Sequence, residues 1–440
     1  MSSLRQSLRA SVFDGAGNAA MLGFGELYFP AFALLLGATS FQVGLLTTVP
    51  MLTGAVAQLL APRLARRFGN KRLVVVGALA QAVGFVPIAA LAGAEPGAYL
   101  RLLGWVSLYW VLALGITPAW NAWMGRMIPA RVRSRFFGRR NSAINAVLLA
   151  SILAGGFLIH AAERSAWGTA SGFVAVFACA GLSRLFSAFY LWRQHEPAVP
   201  AHVARPHLMA LLRGMSRRPY GRLIGLLVLV MGSVHISAAY FTPFMLRELG
   251  LSYAEFTVLN AAVLVSRIVS SAYWGEIARS FGNRRALQVA GTLLVPLAGL
   301  WTVSDHFVYL LALQLLAGFA WAGFELTIVL NFFDYSDDAN RAAVLSLYNL
   351  LNGVAIVVGS LLGGAVLLAL GSAGYTVIFL GSSTLRAVTL LLLARGVGER
   401  RGGEHSFQHV FTRVVTLRPG QGPGLRPVVL DEPRARRRRR

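Results

Sequence analysis

The stretch that decides the fold is PRLARRFGNKRL (residues 62–73), because a close copy of it occurs later in the chain. The second copy, GEIARSFGNRRA (residues 275–286), follows at an offset of 213 residues. The same offset aligns LGATSFQVG (residues 36–44) with LGLSYAEFT (residues 249–257). Because separate segments share one offset, we expect a duplicated chain with two similar halves in parallel orientation.

The regions around both copies are strongly apolar. Hydrophobic residues make up 56% of the 440 residues and charged residues only 13%, and the mean hydropathy is +0.61. Soluble domains carry about 25% charged residues, and a soluble chain of this length could not bury so much apolar surface. The apolar residues fall in runs of about 20, which is the length of a membrane-spanning helix. The composition therefore indicates an all-α membrane protein.

The apolar runs predict twelve transmembrane helices, with the longest polar connection in the middle of the chain. We expect an N-terminal six-helix bundle (1–192), a middle link (193–222), a C-terminal six-helix bundle (223–395) and a disordered arginine-rich tail (396–440). The predicted spans lie near residues 13–37, 41–62, 73–93, 101–126, 141–161, 168–192, 223–246, 255–277, 287–304, 307–332, 343–370 and 374–395.

The distribution of basic residues predicts the orientation. Most of the 41 lysines and arginines fall on the side of the predicted membrane that carries both termini. The opposite side holds only Arg101, Arg164 and Arg247. Since cytoplasmic loops are enriched in Lys and Arg, we expect both termini and the middle link in the cytoplasm of a bacterial cell membrane.

Several classes of function are disfavoured. The formal charge of +24 suggests nucleic-acid binding in a soluble protein, but here it follows membrane topology, and we expect no nucleic-acid partner. Cys179 is the only cysteine, so a disulfide or a cysteine-ligated metal is not expected, nor is any other cofactor. The chain has no phosphate-binding loop for ATP hydrolysis. Its histidines form no cluster, which disfavours a membrane-embedded enzyme.

The repeated link resembles the basic motif of the major facilitator superfamily, which reads approximately G-x-L-x-D-R-x-G-R-R, and the resemblance extends over residues 10–395. The matching residues are glycines and basic side chains. They are Arg67, Gly69, Lys71 and Arg72 in the first copy, and Gly275, Gly282, Arg284 and Arg285 in the second. Pro62 replaces the first glycine, and Arg66 and Arg279 occupy the aspartate position, so a charge latch built on that aspartate is not expected here.

The resemblance implies two pseudo-symmetric six-helix bundles that transport a small solute by alternating access. It leaves the cargo open, because the superfamily carries many solutes. Drug-efflux branches have a G-x-x-x-G-P-x-x-G-G signature in the fifth span, whereas this chain has SILAGG (residues 151–156) without the proline. The fifth-span motif therefore does not predict multidrug export, and close packing through small residues explains it better.

Polar residues within the predicted spans are the candidate site. A charge near the bilayer centre costs at least about 2.5–3.5 kcal/mol, so each one needs a partner or a purpose. The candidates lie on spans one, four, seven and ten, which line the central cavity in the superfamily; they are Glu26, Trp120, Asn121, His235 and Glu325. A carboxylate in a dehydrated cavity can load and release protons, so Glu26 or Glu325 is the predicted proton-coupling site. The alternative is a structural role with local hydrogen-bond partners.

Three arginines also fall inside spans. Arg267 can contact an anionic cargo or pair with Glu325, whereas Arg184 and Arg386 occupy corresponding places in spans six and twelve and favour a scaffold role. These arginines tilt the predicted cargo toward an organic anion.

A cluster of aspartates in the link between spans ten and eleven predicts a cytoplasmic gate. Asp334, Asp337 and Asp338 are the acidic patch among the basic links. They can clamp onto Arg66, Arg67, Lys71 and Arg72 when the cytoplasmic mouth closes. The alternative is a solvated loop.

The sequence thus predicts a secondary transporter, expected to be monomeric and coupled to protons or to cargo exchange. A non-transporting receptor or scaffold on the same fold is the alternative. The arginine-rich tail is expected to lie on anionic lipid headgroups, because basic residues near a membrane surface are attracted to them.

Overall fold

The computed structural model describes residues 2–58, 60–93, 97–128, 130–196, 215, 218–335 and 341–396, which form helices joined by short turns. Asp337, Asp338, most of the middle link and the tail lie outside the described residues. The α-helices of the first half are Ser2–Phe24, Phe29–Leu35, Ser40–Gln58, Ala61–Phe68, Asn70–Ala90, Tyr99–Met127, Ala130–Glu163 and Gly168–Arg193. Those of the second half are Pro219–Ala238, Phe241–Pro243, Tyr253–Phe281, Asn283–Leu294, Phe307–Tyr335, Arg341–Leu370 and Ala373–Gly396.

Eleven helical segments in the described part are long and apolar enough to cross a membrane. The predicted ninth span (287–304) is not among them, because its helix ends at Leu294 and a short 3-10 turn follows at Gly299–Thr302. Pro296 lies at the interruption; it has no backbone N–H, and its ring opposes a continuing helix. The twelve-span prediction is therefore confirmed approximately, with the ninth span as the exception.

The outer surface of the bundle carries apolar side chains. Leu100 is 75% exposed, Val269 is 74% exposed and Phe157 is 71% exposed. Such exposure at many positions is unfavourable in water and neutral in hydrocarbon. The lipid therefore replaces the protein interior as the apolar environment for these faces.

Helix packing repeats from the first half to the second. Span one packs against spans five and six, and span seven packs against spans eleven and twelve. Span two packs against span four, as span eight does against span ten. Spans three and nine each pack against their following spans, four and ten. These shared partnerships are what a duplicated six-helix unit requires.

The repeated link has one conformation in both halves. Gly69 ends the helix Ala61–Phe68 with φ +81°, and Gly282 ends Tyr253–Phe281 with φ +88°. This region of φ is accessible to glycine without the steric cost that a Cβ adds. Asn70 and Asn283 begin the next helices. The glycines of the motif thus turn the chain back into the membrane.

The halves meet along two seams near the face opposite the repeated links. At one seam the Tyr28 hydroxyl donates to the Ile152 carbonyl at 2.6 Å and lies 3.4 Å from the Thr257 hydroxyl. At the other, the Tyr240 hydroxyl donates to the Ser360 carbonyl at 2.5 Å and lies against Gly44. One seam therefore lies between spans five and eight, with Tyr28 of span one against it. The other lies between spans two and eleven, with Tyr240 of span seven against it.

Aromatic clusters support both seams from within the halves. In the first half, Phe32 packs edge-on against Phe177 with ring centroids 5.0 Å apart. In the second half, Phe241 stacks on Phe379 at 4.9 Å, and Phe244 contacts the same ring edge-on at 4.9 Å. Such aromatic pairs contribute about 0.5–1.5 kcal/mol beyond their buried area. The two clusters hold the ends of spans one and seven in place.

The seam between spans five and eight predicts that Gly156, which lies in it, tolerates substitution less well than Gly84 of span three. In Gly156→Ala the new methyl group would overlap the Thr257 side chain across the seam, whereas in Gly84→Ala it would meet nothing within 4 Å. We expect Gly156→Ala to lower the free energy of unfolding by about 1–3 kcal/mol. Gly84→Ala should be neutral or slightly stabilising, because alanine favours helix. Thermal unfolding of the purified variants in detergent measures both, and equal stability would contradict the packing at this seam.

Candidate functional site

Span one is interrupted at Glu26, the carboxylate that the sequence predicts as a candidate site. The α-helix ends at Phe24, a 3-10 turn covers Glu26–Tyr28, and the helix resumes at Phe29. Pro30 lacks the N–H that would reach back to the carbonyl of Glu26 in a continuous α-helix. The Phe29 N–H donates to that carbonyl instead, which tightens the turn. The break therefore follows from Pro30 and presents Glu26 at a kink.

Glu26 has a neutral partner. The Tyr109 hydroxyl of span four donates to Glu26 Oε2 at 3.0 Å. The Tyr109 ring is itself held edge-on by Phe29 at 5.4 Å and by Phe85 at 5.7 Å. The Glu26 side chain is half-buried, and it forms no ion pair with any residue that the structure describes. This carboxylate thus lies among aromatic rings without a cation to balance a negative charge.

Glu325 has a different environment. Its carboxylate forms an ion pair and hydrogen bond with Arg267 of span eight. The side chains are 47% and 40% exposed, so the pair is not sealed inside the protein. An ion pair with this exposure contributes at most about 1 kcal/mol to stability when water screens it. The sequence predicted two alternative roles for Arg267, contact with an anionic cargo or pairing with Glu325. In the structure it pairs with Glu325.

The other candidates on the central spans have local contacts. His235 Nδ1 lies 2.9 Å from the Met231 carbonyl, one turn earlier in its own helix. The Trp120 ring lies under the Arg140 guanidinium, 4.9 Å from the ring centroid. Asn121 is exposed. The structure therefore does not bring these residues together with Glu26 and Glu325 into one cluster.

The first half contains a buried polar network that the sequence analysis did not predict. Asp14 lies 3.5 Å from Arg140 Nη2 of span five, and both side chains are buried. The Ser187 hydroxyl of span six donates to Asp14 Oδ1 at 2.8 Å. Arg140 Nε donates to the Ser11 carbonyl at 3.0 Å. Asp14 therefore joins spans one, five and six through its two oxygens.

Arg184 extends this network toward Glu26. Its Nε and Nη2 donate to Gln81 Oε1 of span three at 2.9 Å and 2.6 Å. Its Nη1 donates to Asn18 Oδ1 at 2.7 Å and to the Ser187 hydroxyl at 3.0 Å. The Gln81 amide then donates to the Tyr109 carbonyl at 3.3 Å. A chain of polar groups thus runs from Asp14 to the residue that holds Glu26.

The counterpart arginine in span twelve is also bound to the scaffold. Arg386 Nη1 donates to the Leu294 carbonyl at 2.9 Å, and Nη2 donates to the Ser237 hydroxyl at 3.2 Å. Arg386 is 5% exposed. The Leu294 carbonyl it reaches is at the helix end that the broken ninth span leaves open. Arg386 therefore caps an interrupted helix, which accounts for its burial.

Asp14 was missed because of the predicted boundary of span one. We expected the span to begin at residue 13, which placed Asp14 at the membrane surface, whereas the helix begins at Ser2 and its apolar segment at Gln6. The spacing from Asp14 to Asn18 is one helical turn and was the available signal. The partner Arg140 was assigned to a link, but the helix Ala130–Glu163 includes it.

The described residues of the predicted gate make contacts within their own halves. Asp334 Oδ2 accepts a hydrogen bond from Asn283 Nδ2 at 2.8 Å, and Arg279 forms an exposed ion pair with Glu276 at 2.6 Å. Arg66 and Arg67 are exposed, and Arg67 lies 5.6 Å from the Phe68 ring centroid. The clamp between Asp334 and the first repeated link stays a prediction.

Comparisons with known proteins agree with this architecture. The sequence model described as Major Facilitator Superfamily matches residues 16–244 and 222–428. A protein of Pseudomonas aeruginosa described as a chloramphenicol resistance protein is 24% identical over 438 residues, covering 95% of this chain and 99% of the relative. A mutant of the nucleoside transporter NupG superposes with TM-score 0.69 at 12% identity, covering 88% of this chain and 99% of that one. The xylose transporter XylE from E. coli superposes with TM-score 0.64 at 13% identity, with coverages of 92% and 100%.

The buried pair of Asp14 and Arg140 predicts a strong mutual dependence. Asp14→Ala or Arg140→Ala should each lower the free energy of unfolding by about 3–5 kcal/mol, because each leaves a buried charge without its partner. The double variant should be more stable than the sum of the two losses implies, by about 0.5–3 kcal/mol.

Denaturant titration of the four proteins gives this double-mutant cycle. Glu163→Ala is the matched control, because its pair with His160 at 3.5 Å is at a helix end and 41% exposed on the Glu163 side. The control should cost less than about 1 kcal/mol. Strictly additive losses for Asp14 and Arg140 would show that the two side chains do not interact.

Proposed function

Because the chain belongs to the Major Facilitator Superfamily, a family of membrane transporters, we propose that it carries a small solute by alternating access and couples this movement to protons at Glu26. The observation that carries the proposal is the pairing of the Glu26 carboxylate with a neutral hydroxyl, that of Tyr109. An enzymatic role is not part of this function.

The neutral partner matters because an ionised carboxylate is costly in a dry environment without a cation. A carboxyl group in the position of Glu26 gains by taking a proton when it is dehydrated and by releasing it when water enters. Tyr109 can serve both forms, because its hydroxyl donates to a carboxylate and accepts from a carboxylic acid. Glu26 is therefore suited to alternate between the two states during a transport cycle.

Glu325 is less suited to this task because Arg267 accompanies it. A cation favours the ionised form of a carboxylate and so opposes proton loading. We assign the pair to positioning spans eight and ten against each other. Arg267 would become available to a solute only if Glu325 released it.

The cargo is better described as uncharged than as anionic. The anion prediction counted three arginines and one histidine against two glutamates. Each arginine has protein partners: Arg184 with Gln81, Arg267 with Glu325, and Arg386 with Ser237. The similarity to a protein described as a chloramphenicol resistance protein favours export of an uncharged aromatic compound as the first candidate to test. This candidate is based on the relative, since the fifth span lacks the proline of the efflux signature.

The conformation is proposed to be inward-facing. Near the face opposite the repeated links, the halves are joined by Tyr28 against Thr257 at one seam and by Ser360 against Gly44 at the other. The basic residues assign the face with the repeated links to the cytoplasm. A substrate path that is closed at the seams would then open toward the cytoplasm, and the reverse state would require both seams to separate.

Replacing Glu26 should uncouple transport from protons. In proteoliposomes with an imposed pH gradient, we expect Glu26→Gln to lose gradient-driven chloramphenicol accumulation down to the level of protein-free vesicles, because glutamine cannot exchange a proton. Chloramphenicol exchange without a gradient should persist. Glu325→Gln and the exposed Glu163→Gln serve as comparisons. Full proton-driven accumulation by Glu26→Gln would remove this residue from the coupling mechanism, and failure of the native chain to move chloramphenicol would refute that cargo and direct a screen to other solutes.

A disulfide across the seam between spans two and eleven, where Tyr240 lies, tests alternating access. A Cβ built on Gly353 lies 3.9 Å from the Ala55 Cβ, close to the mean of about 3.8 Å for disulfides. We expect Ala55→Cys with Gly353→Cys, in a Cys179→Ser background, to form a disulfide that links spans two and eleven.

Oxidation should then stop solute flux, and reduction should restore it. The two single-cysteine variants control for the substitutions, and mass spectrometry verifies the bond. Undiminished flux through the oxidised double variant would mean that transport proceeds without separation of this seam.

A further inference from the structure

A pocket on the outer side of the first half has no role in the transport cycle described above. It lies between the beginning of span one and the end of span six, and its volume is about 450 Å³. The side chains that define its chemistry are Gln6, Arg9, Phe13, Tyr190, Trp192 and Arg193. It therefore combines two guanidinium groups with three aromatic rings.

The charge of this pocket is entirely positive. Arg9 and Arg193 are both exposed, and no acidic side chain lines the pocket. Neither arginine forms an ion pair with the residues that the structure describes. The Arg193 guanidinium lies 5.6 Å from the Phe189 ring centroid, which holds it along the helix surface. Two cations that line one pocket without an anion of the protein can accept an anionic group from outside.

The pocket lies at the level of the membrane surface. The apolar segment of span one begins at Gln6, and that of span six ends at Arg193, so both helices leave the hydrocarbon at this level. Trp and Tyr side chains are enriched at this depth, as Trp192 and Tyr190 are here. Phe13 stacks on Tyr190 with centroids 5.0 Å apart and forms an apolar wall.

The adjoining surface continues into the hydrocarbon. Phe186 is 44% exposed and Phe189 is 49% exposed on the same side of span six. These rings extend from the pocket toward the bilayer centre along the helix. An occupant with a negative head and an apolar chain would match the whole surface, from the arginines to the phenylalanines.

We propose that this pocket binds an anionic phospholipid of the leaflet at the basic face. The phosphate and glycerol headgroup accept hydrogen bonds from Arg9 and Arg193, because guanidinium groups match phosphate oxygens in geometry and charge. One acyl chain lies along Phe186 and Phe189. The lipid thereby bridges spans one and six, the same two helices that Asp14 and Ser187 join from the inside.

A photoactivatable phosphatidylglycerol analogue tests this site on the full-length chain in phosphatidylcholine nanodiscs. We expect mass spectrometry to place crosslinks in residues 6–13 and 186–193. Unlabelled phosphatidylglycerol should compete, whereas phosphatidylcholine should not. The double variant Arg9→Gln/Arg193→Gln should lower the apparent affinity about thirtyfold, as expected for two basic residues near an anionic lipid.

The matched control is Arg101→Gln/Arg164→Gln, which removes the same charge from exposed positions at the opposite face. It should keep the crosslink at residues 6–13 and 186–193. Thermal unfolding in lipid-free detergent verifies that both double variants are folded.

Three results would each overturn the proposal. They are equal competition by phosphatidylcholine, equal displacement by inorganic phosphate, and an unchanged crosslink in the Arg9→Gln/Arg193→Gln variant. Crosslinks found only in the arginine-rich tail would also overturn the proposal, because they would show general attraction of the lipid to basic residues.

Discussion

The constraint on which the interior depends is the cost of an unpaired charge within a membrane. Asp14 and Arg140 satisfy it as a buried pair, and Arg184 satisfies it with amide and hydroxyl partners. Arg386 satisfies it with the carbonyl of an interrupted helix. Glu26 stands apart, since its described partner is the Tyr109 hydroxyl. The same physical rule thus separates the charges that hold the scaffold from Glu26, the carboxylate that we propose as the proton-coupling site.

The two halves use one design with different side chains. Spans one and seven both leave α-helical geometry at corresponding places, at Glu26–Tyr28 in one and between Ala238 and Phe241 in the other. Each carries a tyrosine, Tyr28 or Tyr240, whose hydroxyl reaches a carbonyl on span five or span eleven. The carboxylate network, in contrast, is found in the first half. The duplication therefore conserves the helix breaks and the seams, while the charges differ between halves.

This asymmetry has a consequence for coupling. Gln81 connects Arg184 to the backbone of Tyr109, so the first half holds Tyr109 on a rigid polar support. In the second half, Glu325 and Arg267 pair at a more exposed position. Under the proposed function, the first half carries the proton site and the second half adapts around the solute. The lipid pocket lies on the outer side of the same first half, where a bound headgroup would reinforce the packing of spans one and six.

The sequence by itself determined the membrane class, the duplication and the approximate positions of the spans, but not the break in the ninth span or the beginnings of the first and fifth. These properties are readable because lipid requires long apolar helices and because a repeat keeps its offset along the chain. The pairing of Arg267 with Glu325 was also within reach, since both lie inside predicted spans. Partners such as Asp14 with Arg140, or Gln81 with Arg184, were decided only by the tertiary structure. They are more than 100 positions apart, and which helix faces meet depends on how six helices pack together, a property that no local pattern of residues contains.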